Sequence, residues 1–219
     1  MESILRFLSL LAAVAVAAAQ AHTFHVDAER GNDAQDGLKP ETAWRSLAKV
    51  NLAPLAPGDR LLFRRGQTWR GQLMPQSGDA GGVITYGAFG DGPKPVLLGS
   101  AAAGRAEDWQ PAGEGIWATV KVRSSQSIPL SVDVGNIIFD HGKTTGVKKW
   151  SEAELRRDGD FYYDPRSWQV KLRCEANPAT RHPSIELALR RHIIDQGGRG
   201  YVTYENLDLR YGAAHGSGG

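Results

Sequence analysis

Apolar and polar residues alternate in short runs along this chain, and the runs are divided by glycine and proline rather than by helical stretches. After the Pro-Gly turn of "LAPGDR" come "LLFRRG", "GGVITYG" and "KPVLLGS", each about one strand long. No segment between them carries the periodicity of a helix long enough for a βαβ unit. Upstream, residues 22–52 begin with a short strand, cross a loop rich in Gly, Asn and Asp, and enter a short helix over residues 46–52. Ser46 is its predicted N-cap, and Leu47 and Val50 fall on one face.

Two further patterns concern how the strands stack. Leu61 and Val83 stand 22 residues apart, as do Ile185 and Leu207, and Leu187 and Leu209. A repeated step of that size is what the stacked turns of a β-solenoid require. In "YVTYENLDLRYGAAHGSGG" Val202 and Tyr204 share one parity while Leu207 and Leu209 share the other. A straight strand cannot change its buried face in this way, so the segment is predicted to be two strands bent at Asn206, a residue that tolerates left-handed backbone. No closing cap follows, and "HGSGG" reads as a turn leading onward, so the chain is expected to be truncated at its C-terminus.

Residues 102–182 have a different texture and hold four of the six tryptophans, Trp109, Trp117, Trp150 and Trp168. There "DFYYDPRSWQVKLRC" predicts a hairpin turning through Asp164-Pro165-Arg166-Ser167. The expected organisation is a signal peptide at 1–21, a cap and first coils at 22–101, an inserted β-rich subdomain at 102–182 and resumed, incomplete coils at 183–219. The signal peptide is read from Arg6, the apolar run 7–19 and the small-x-small site Ala19-Gln20-Ala21. It predicts a secreted or periplasmic protein with no membrane association after cleavage.

Composition narrows the partner. The chain is 41% hydrophobic, enough for a core, and its 26 Lys and Arg against 24 Asp and Glu exclude the strongly basic balance of a nucleic-acid binder. The single cysteine, Cys174, alternates in phase with Val170 and Leu172, which predicts a buried and inert thiol. Asp27, Asp33 and Asp36 fit no EF-hand register and are read as turn residues.

The stretches "FHVDAERGNDAQDG", "AWRSLAKVN", "LAPGDRLLFRRGQTWRG", "VITYGAFGDGPKPVLLGS" and "YVTYENLDLRYGAAHG" together resemble the N-terminal part of the secreted right-handed parallel β-helix proteins of the pectate-lyase-like superfamily. The resemblance covers most of residues 23–100 and 184–216. It implies an all-β fold, a right-handed parallel β-helix opened by a short capping helix, with the β-rich insert resting on it. It also implies that later coils carry most of the chemistry. That superfamily includes polysaccharide lyases, hydrolases, epimerases and proteins with no assigned chemistry.

The leading functional expectation is a polysaccharide lyase that cleaves an acidic, uronate-containing glycan by β-elimination. Such chemistry needs a base near the C5 proton and a cation, Ca²⁺ or Arg, to offset the carboxylate charge. No cofactor is fixed by the residues; Ca²⁺ is the one this chemistry would admit in the full-length protein, which is expected to be a monomer. Asp208 and Arg210, which share the outward parity of the last strand, and His215 in the turn after it are the candidate catalytic edge of a substrate groove. Arg190, Arg191 and His192 are a candidate cationic strip for an anionic polysaccharide. The alternative for both groups is solvated surface charge. The loop "HGKTTGVKKW", with His141, Lys143, Lys148 and Lys149, is read as a solvent face first and a polyanion contact second. Trp44 and Trp69 are expected in the core, and one of the four tryptophans at 102–182 is a candidate sugar platform. Two alternatives stay open: a glycoside hydrolase on the same fold using paired carboxylates, and a non-catalytic glycan-binding or surface protein.

Overall fold

The computed structural model describes residues 20–120 and 132–213. These are mostly β, with few and short helices, none of them long and apolar enough to cross a membrane. The signal-peptide expectation falls on residues that lie almost wholly outside this range.

Two parallel sheets form the first region. One has the order Thr23–Val26, Arg60–Arg64, Ile84–Phe89, Val202–Tyr204; the other has the order Thr68–Arg70, Val96–Leu98, Asp208–Arg210. Three passes of the chain, through Arg60–Arg64, Ile84–Phe89 and Val202–Tyr204, each give a strand to the first sheet, turn a corner and give a strand to the second; Thr23–Val26 adds a strand to the first sheet alone. The corners need left-handed backbone: Gly66 at φ 80, Gly90 and Gly92 at φ 76 and 111, and Asn206 at φ 56. The predicted bend at Asn206 is therefore present, with Val202–Tyr204 and Asp208–Arg210 in different sheets. Leu61, Phe63, Ile84 and Tyr86 from one sheet meet Trp69 and Leu97 from the other in one core.

The helix Leu47–Leu52 covers this core at one end. Ser46 Oγ accepts from the Lys49 backbone N at 3.1 Å, and Leu47 and Val50 are buried beside Trp44, as their spacing predicts. The three loop aspartates brace turns. Asp27 accepts from the backbone N of Glu29 and Arg30, Asp33 from Arg45 and Ser46, and Asp36 from Leu38. Backbone N–H groups that a loop would leave unpaired are satisfied locally in this way.

The second region is largely antiparallel. One sheet runs Val147–Lys149, Asp160–Asp164, Gln169–Arg173, Ile116–Thr119, Trp109–Gly113; a second runs Thr144–Thr145, Asn136–Phe139, Ile185–Ala188, Ser100–Ala102. The hairpin through Asp164-Pro165-Arg166-Ser167 is present, pairing Phe161 with Leu172 and Asp164 with Gln169. Phe161, Val170, Leu172, Ile137, Ile185 and Leu187 pack in a core of its own, which also takes in Trp109 and the buried Cys174.

The 22-residue stacking is corrected by the strand registers. Leu61 stands opposite Tyr86, not Val83. Ile185 and Leu187 do not stack on Leu207 and Leu209; they pair antiparallel with Phe139 and Ile137. The physical reason is visible in burial. All four residues of Ile185–Ala188 are buried, as in a strand covered on both faces, and the short apolar run that results carries no information about its neighbours.

Candidate functional site

The three-stranded sheet has one face in the core and one facing outward. Trp69 and Leu97 are buried in the core row, so Thr68 and Arg70, Val96 and Leu98, and Asp208 and Arg210 share the other face by strand alternation. The second region lies against this face. His141, Ser184 and Glu186 approach it from there, and with Tyr211 they enclose a cleft of about 360 Å³.

The charges of the cleft are matched in pairs. Arg70 Nε donates to Glu186 Oε2 at 3.3 Å, and its Nη2 binds Glu186 Oε1; Ser100 Oγ donates to Glu186 Oε2 at 2.7 Å. Glu186 comes from the buried strand Ile185–Ala188, so its carboxylate is held where a lone charge would be costly and is stabilised by this guanidinium and hydroxyl. Arg210 Nε donates to Asp208 Oδ2 at 3.0 Å. The hydrogen bond from Arg210 holds the Asp208 carboxyl below its ordinary pKa, and the same bond pushes Arg210 up.

His141 reaches the cleft on an unusual turn. Asp140, His141 and Gly142 all have left-handed φ values, of 54, 58 and 91. Ser184 fixes the turn twice: Asp140 N donates to its carbonyl at 3.0 Å, and His141 N donates to its hydroxyl at 2.6 Å. His182 Nδ1 lies 3.1 Å from Asp140 Oδ2, and its ring stacks on Phe139 at 4.2 Å. Tyr211, on the other side, is left-handed too, at φ 61.

Of the residues singled out in the sequence, Asp208 and Arg210 are outward neighbours as predicted, and Arg210 lines the cleft. His215 lies outside the described residues. Arg190 comes close to Arg210 through Gly99, whose carbonyl accepts from Arg190 N while its N–H donates to the Arg210 carbonyl. This proximity arises from the end of an antiparallel strand rather than from stacked parallel passes. Burial lowers the Arg190 pKa, and its Nη1 has no hydrogen-bond partner among the described residues. Arg191 and His192 are exposed and do not line the cleft. Lys148 and Lys149 are tied to Asp133 and Asp160, whereas Lys143 is exposed.

Sequence reasoning missed Arg70, Glu186, Ser184 and Tyr211 as members of one site. A signal for Glu186 existed: it is the one charged residue within the apolar run of residues 185–189. Trp44, Trp69 and Trp109 are buried; Trp150 and Trp168 are exposed. Burial raises the Cys174 thiol pKa, in keeping with an inert role. Among the described residues no group of three or more His, Cys, Asp or Glu is arranged to hold a metal ion.

No family model matches the chain. Over 89 residues it is 34% identical to the lacto-N-biosidase of Bifidobacterium longum subsp. longum, a match covering 37% of this chain and 6% of that protein. Over 46 residues it is 41% identical to alpha-1,3-galactosidase A of Akkermansia muciniphila, covering 21% of this chain and 8% of that protein. The chain thus spans less than a tenth of the length of the curated relatives it matches. Among solved structures, XylC in complex with xylose superposes with a TM-score of 0.64 at 15% identity, over 88% of this chain and 36% of that chain, a likeness of fold. Both curated relatives are glycoside hydrolases, and neither is a lyase. The comparisons therefore favour the hydrolase alternative over the expected β-elimination.

Proposed function

We propose that this protein is a carbohydrate-active enzyme of glycoside-hydrolase type, exported from the cell, in which the described residues hold part of a glycan in the cleft between the two regions. The proposed frame is a right-handed parallel β-helix, with each pass through the two parallel sheets as one coil and the antiparallel region as an insert. The three left-handed corners and the in-register parallel pairing support that frame.

The observation that carries the functional reading is the charge balance of the cleft. Elimination from a uronate needs a cation left over to offset the substrate's carboxylate. Both arginines that line the cleft already have a carboxylate, Arg70 with Glu186 and Arg210 with Asp208. A neutral glycan needs only hydrogen bonds and an apolar surface, which such a cleft offers. The described residues are given a substrate-holding role rather than the catalytic one. The two carboxylates at the cleft, Glu186 and Asp208, are each bound by an arginine, an arrangement that suits holding a substrate.

The test is incubation of the protein with galactose-containing oligosaccharides and, in parallel, with polygalacturonate. New reducing ends from the neutral sugars, without ultraviolet absorbance from unsaturated products, are expected. Absorbance arising from polygalacturonate would return the reading to a lyase, and binding without turnover would favour the non-catalytic alternative.

A further inference from the structure

Six non-glycine residues have left-handed backbone among the described residues: Asp140, His141, Trp168, Tyr201, Asn206 and Tyr211. Asn206 turns a corner, Trp168 sits at a hairpin tip, where the chain must reverse, and Tyr201 leads into the strand Val202–Tyr204, its carbonyl accepting from Ile84 N. Asp140, His141 and Tyr211 are different, because His141 and Tyr211 both line the same cleft and Asp140 adjoins it. Glycine would adopt each of these conformations at no steric cost. Side chains held in such backbone persist only where the surroundings over-determine them, and they gather at ligand clamps.

The surroundings here do over-determine the turn. Ser184 binds it through both carbonyl and hydroxyl, and Asp140 is anchored to His182, itself stacked on Phe139. Gly142 then leaves room for the tyrosine: a Cβ at that position would lie 3.1 Å from Tyr211 Oη. The two left-handed side chains are thereby brought to one place from opposite regions of the molecule. His141 is exposed and is not part of a core; Tyr211 is partly buried and packs in part against the small cluster of Ile138, Ala188 and Ala213.

We propose that His141 and Tyr211 form a preset clamp for a neutral pyranoside in this cleft, with Asp140, His182 and Ser184 as positioning residues; the proposal rests on the reading of the cleft as a glycan site. The tyrosine ring offers an apolar surface to the C–H face of the sugar, and the imidazole offers a donor or acceptor to a ring hydroxyl. Because Arg70 and Arg210 keep their carboxylates, recognition falls to the tyrosine ring and the imidazole and does not require an acidic sugar.

The clamp predicts opposite signs for stability and binding at one position. His141→Gly relieves the φ of 58 and removes the imidazole, so the melting temperature of the full chain should rise while its affinity falls. Isothermal titration of the full chain with lacto-N-biose and with α-1,3-galactobiose is the measurement. The wild type should bind at least one of them, His141→Gly should bind it about tenfold more weakly, and His141→Asn, which keeps left-handed tolerance and a polar group, should recover part of the loss. If the wild type binds and both variants bind equally well, the clamp is overturned and the glycan reading stands. If melting temperature and affinity fall together in both variants, the turn is merely structural and the clamp is overturned as well. A wild-type chain that binds neither sugar removes the glycan reading and the clamp with it.

Discussion

The two regions of this molecule solve the problem of strand pairing in opposite ways. In the parallel region every strand finds its neighbours on other passes of the chain, as when Phe24 pairs with Leu61, Leu61 with Tyr86 and Ile84 with Val202. In the antiparallel region a hairpin such as Phe161 to Leu172 closes through one turn. Loop closure over a long stretch costs more conformational entropy than closure over a short one, so the parallel region depends on its buried layer and corners, whereas the hairpin carries its own register. The cleft lies at the seam, where Arg70 of one region meets Glu186 of the other.

The largest effects should come from the two cores. Phe63 and Phe161 are each fully buried, one in each region, and either Phe→Ala change should cost about 3–5 kcal/mol. Hydrogen exchange separates the regions. Phe161→Ala should speed exchange first in Asp160–Asp164 and Gln169–Arg173, and Phe63→Ala first in Arg60–Arg64 and Ile84–Phe89. Uniform exchange across both in either variant would break the comparison, because the molecule would then open as one unit.

The seam comes next. Arg70→Ala leaves the Glu186 carboxylate buried with only Ser100 to bind it, and a loss of about 2–4 kcal/mol is expected in thermal unfolding. Adding Glu186→Leu to Arg70→Ala should restore most of that loss, since the uncompensated charge disappears. No recovery would mean that the ion pair contributes through packing rather than charge.

The same division explains what could be read in the sequence. The Ser46 cap, the Asp164-Pro165-Arg166-Ser167 hairpin and the corner at Asn206 are set by residues within a few positions of one another, and each is where the local pattern places it. The strand registers were not legible, because a pattern of alternate apolar residues is satisfied by many partners; Leu61 fits against Val83 on paper as well as against Tyr86. The cleft was legible only in part. Asp208 and Arg210 lie in one strand and announce their shared face, but Arg70 and Glu186 are 116 residues apart and meet through the tertiary fold alone. His141 was visible as a loop histidine, while its backbone geometry, which gives it its place, leaves no mark in composition.

Acid should act more gently than either substitution. Burial pushes the Asp27 carboxyl up, but hydrogen bonds from Arg30 N, Gln67 and Glu29 N, with Arg64 nearby, outweigh it and hold the pKa below its ordinary value. A carboxyl depressed in the folded state contributes stability that is present above its unfolded pKa, about 3.9, and is lost as pH falls through the folded value. Stability should therefore decline below about pH 4. Asp27→Asn should reduce stability at neutral pH by about 1–2 kcal/mol and flatten the acid limb. An acid limb unchanged in that variant would assign the loss to other carboxylates, with Asp160 of the antiparallel region, also held low, as the next to examine.

The smallest expected effect sharpens the contrast between tryptophans that build the molecule and those that do not. Trp69 is 5% exposed and donates from Nε1 to the Arg45 carbonyl at 2.9 Å, joining the parallel core to its cap. Trp150 is 80% exposed, and its surroundings do not depend on the ring. Its backbone N, like that of Ser151, donates to Glu154 Oε2 at 3.0 Å, and Lys148, whose ammonium lies 5.5 Å from the ring centroid, keeps its ion pair with Asp133 when the ring is removed. Trp150→Ala should therefore change the unfolding free energy by no more than about 0.5 kcal/mol in either direction. A loss well above that in denaturant titration would mean that the ring is buried against another part of the protein. Unchanged stability with weaker binding to an oligosaccharide would instead give the antiparallel region a sugar platform of its own, outside the cleft.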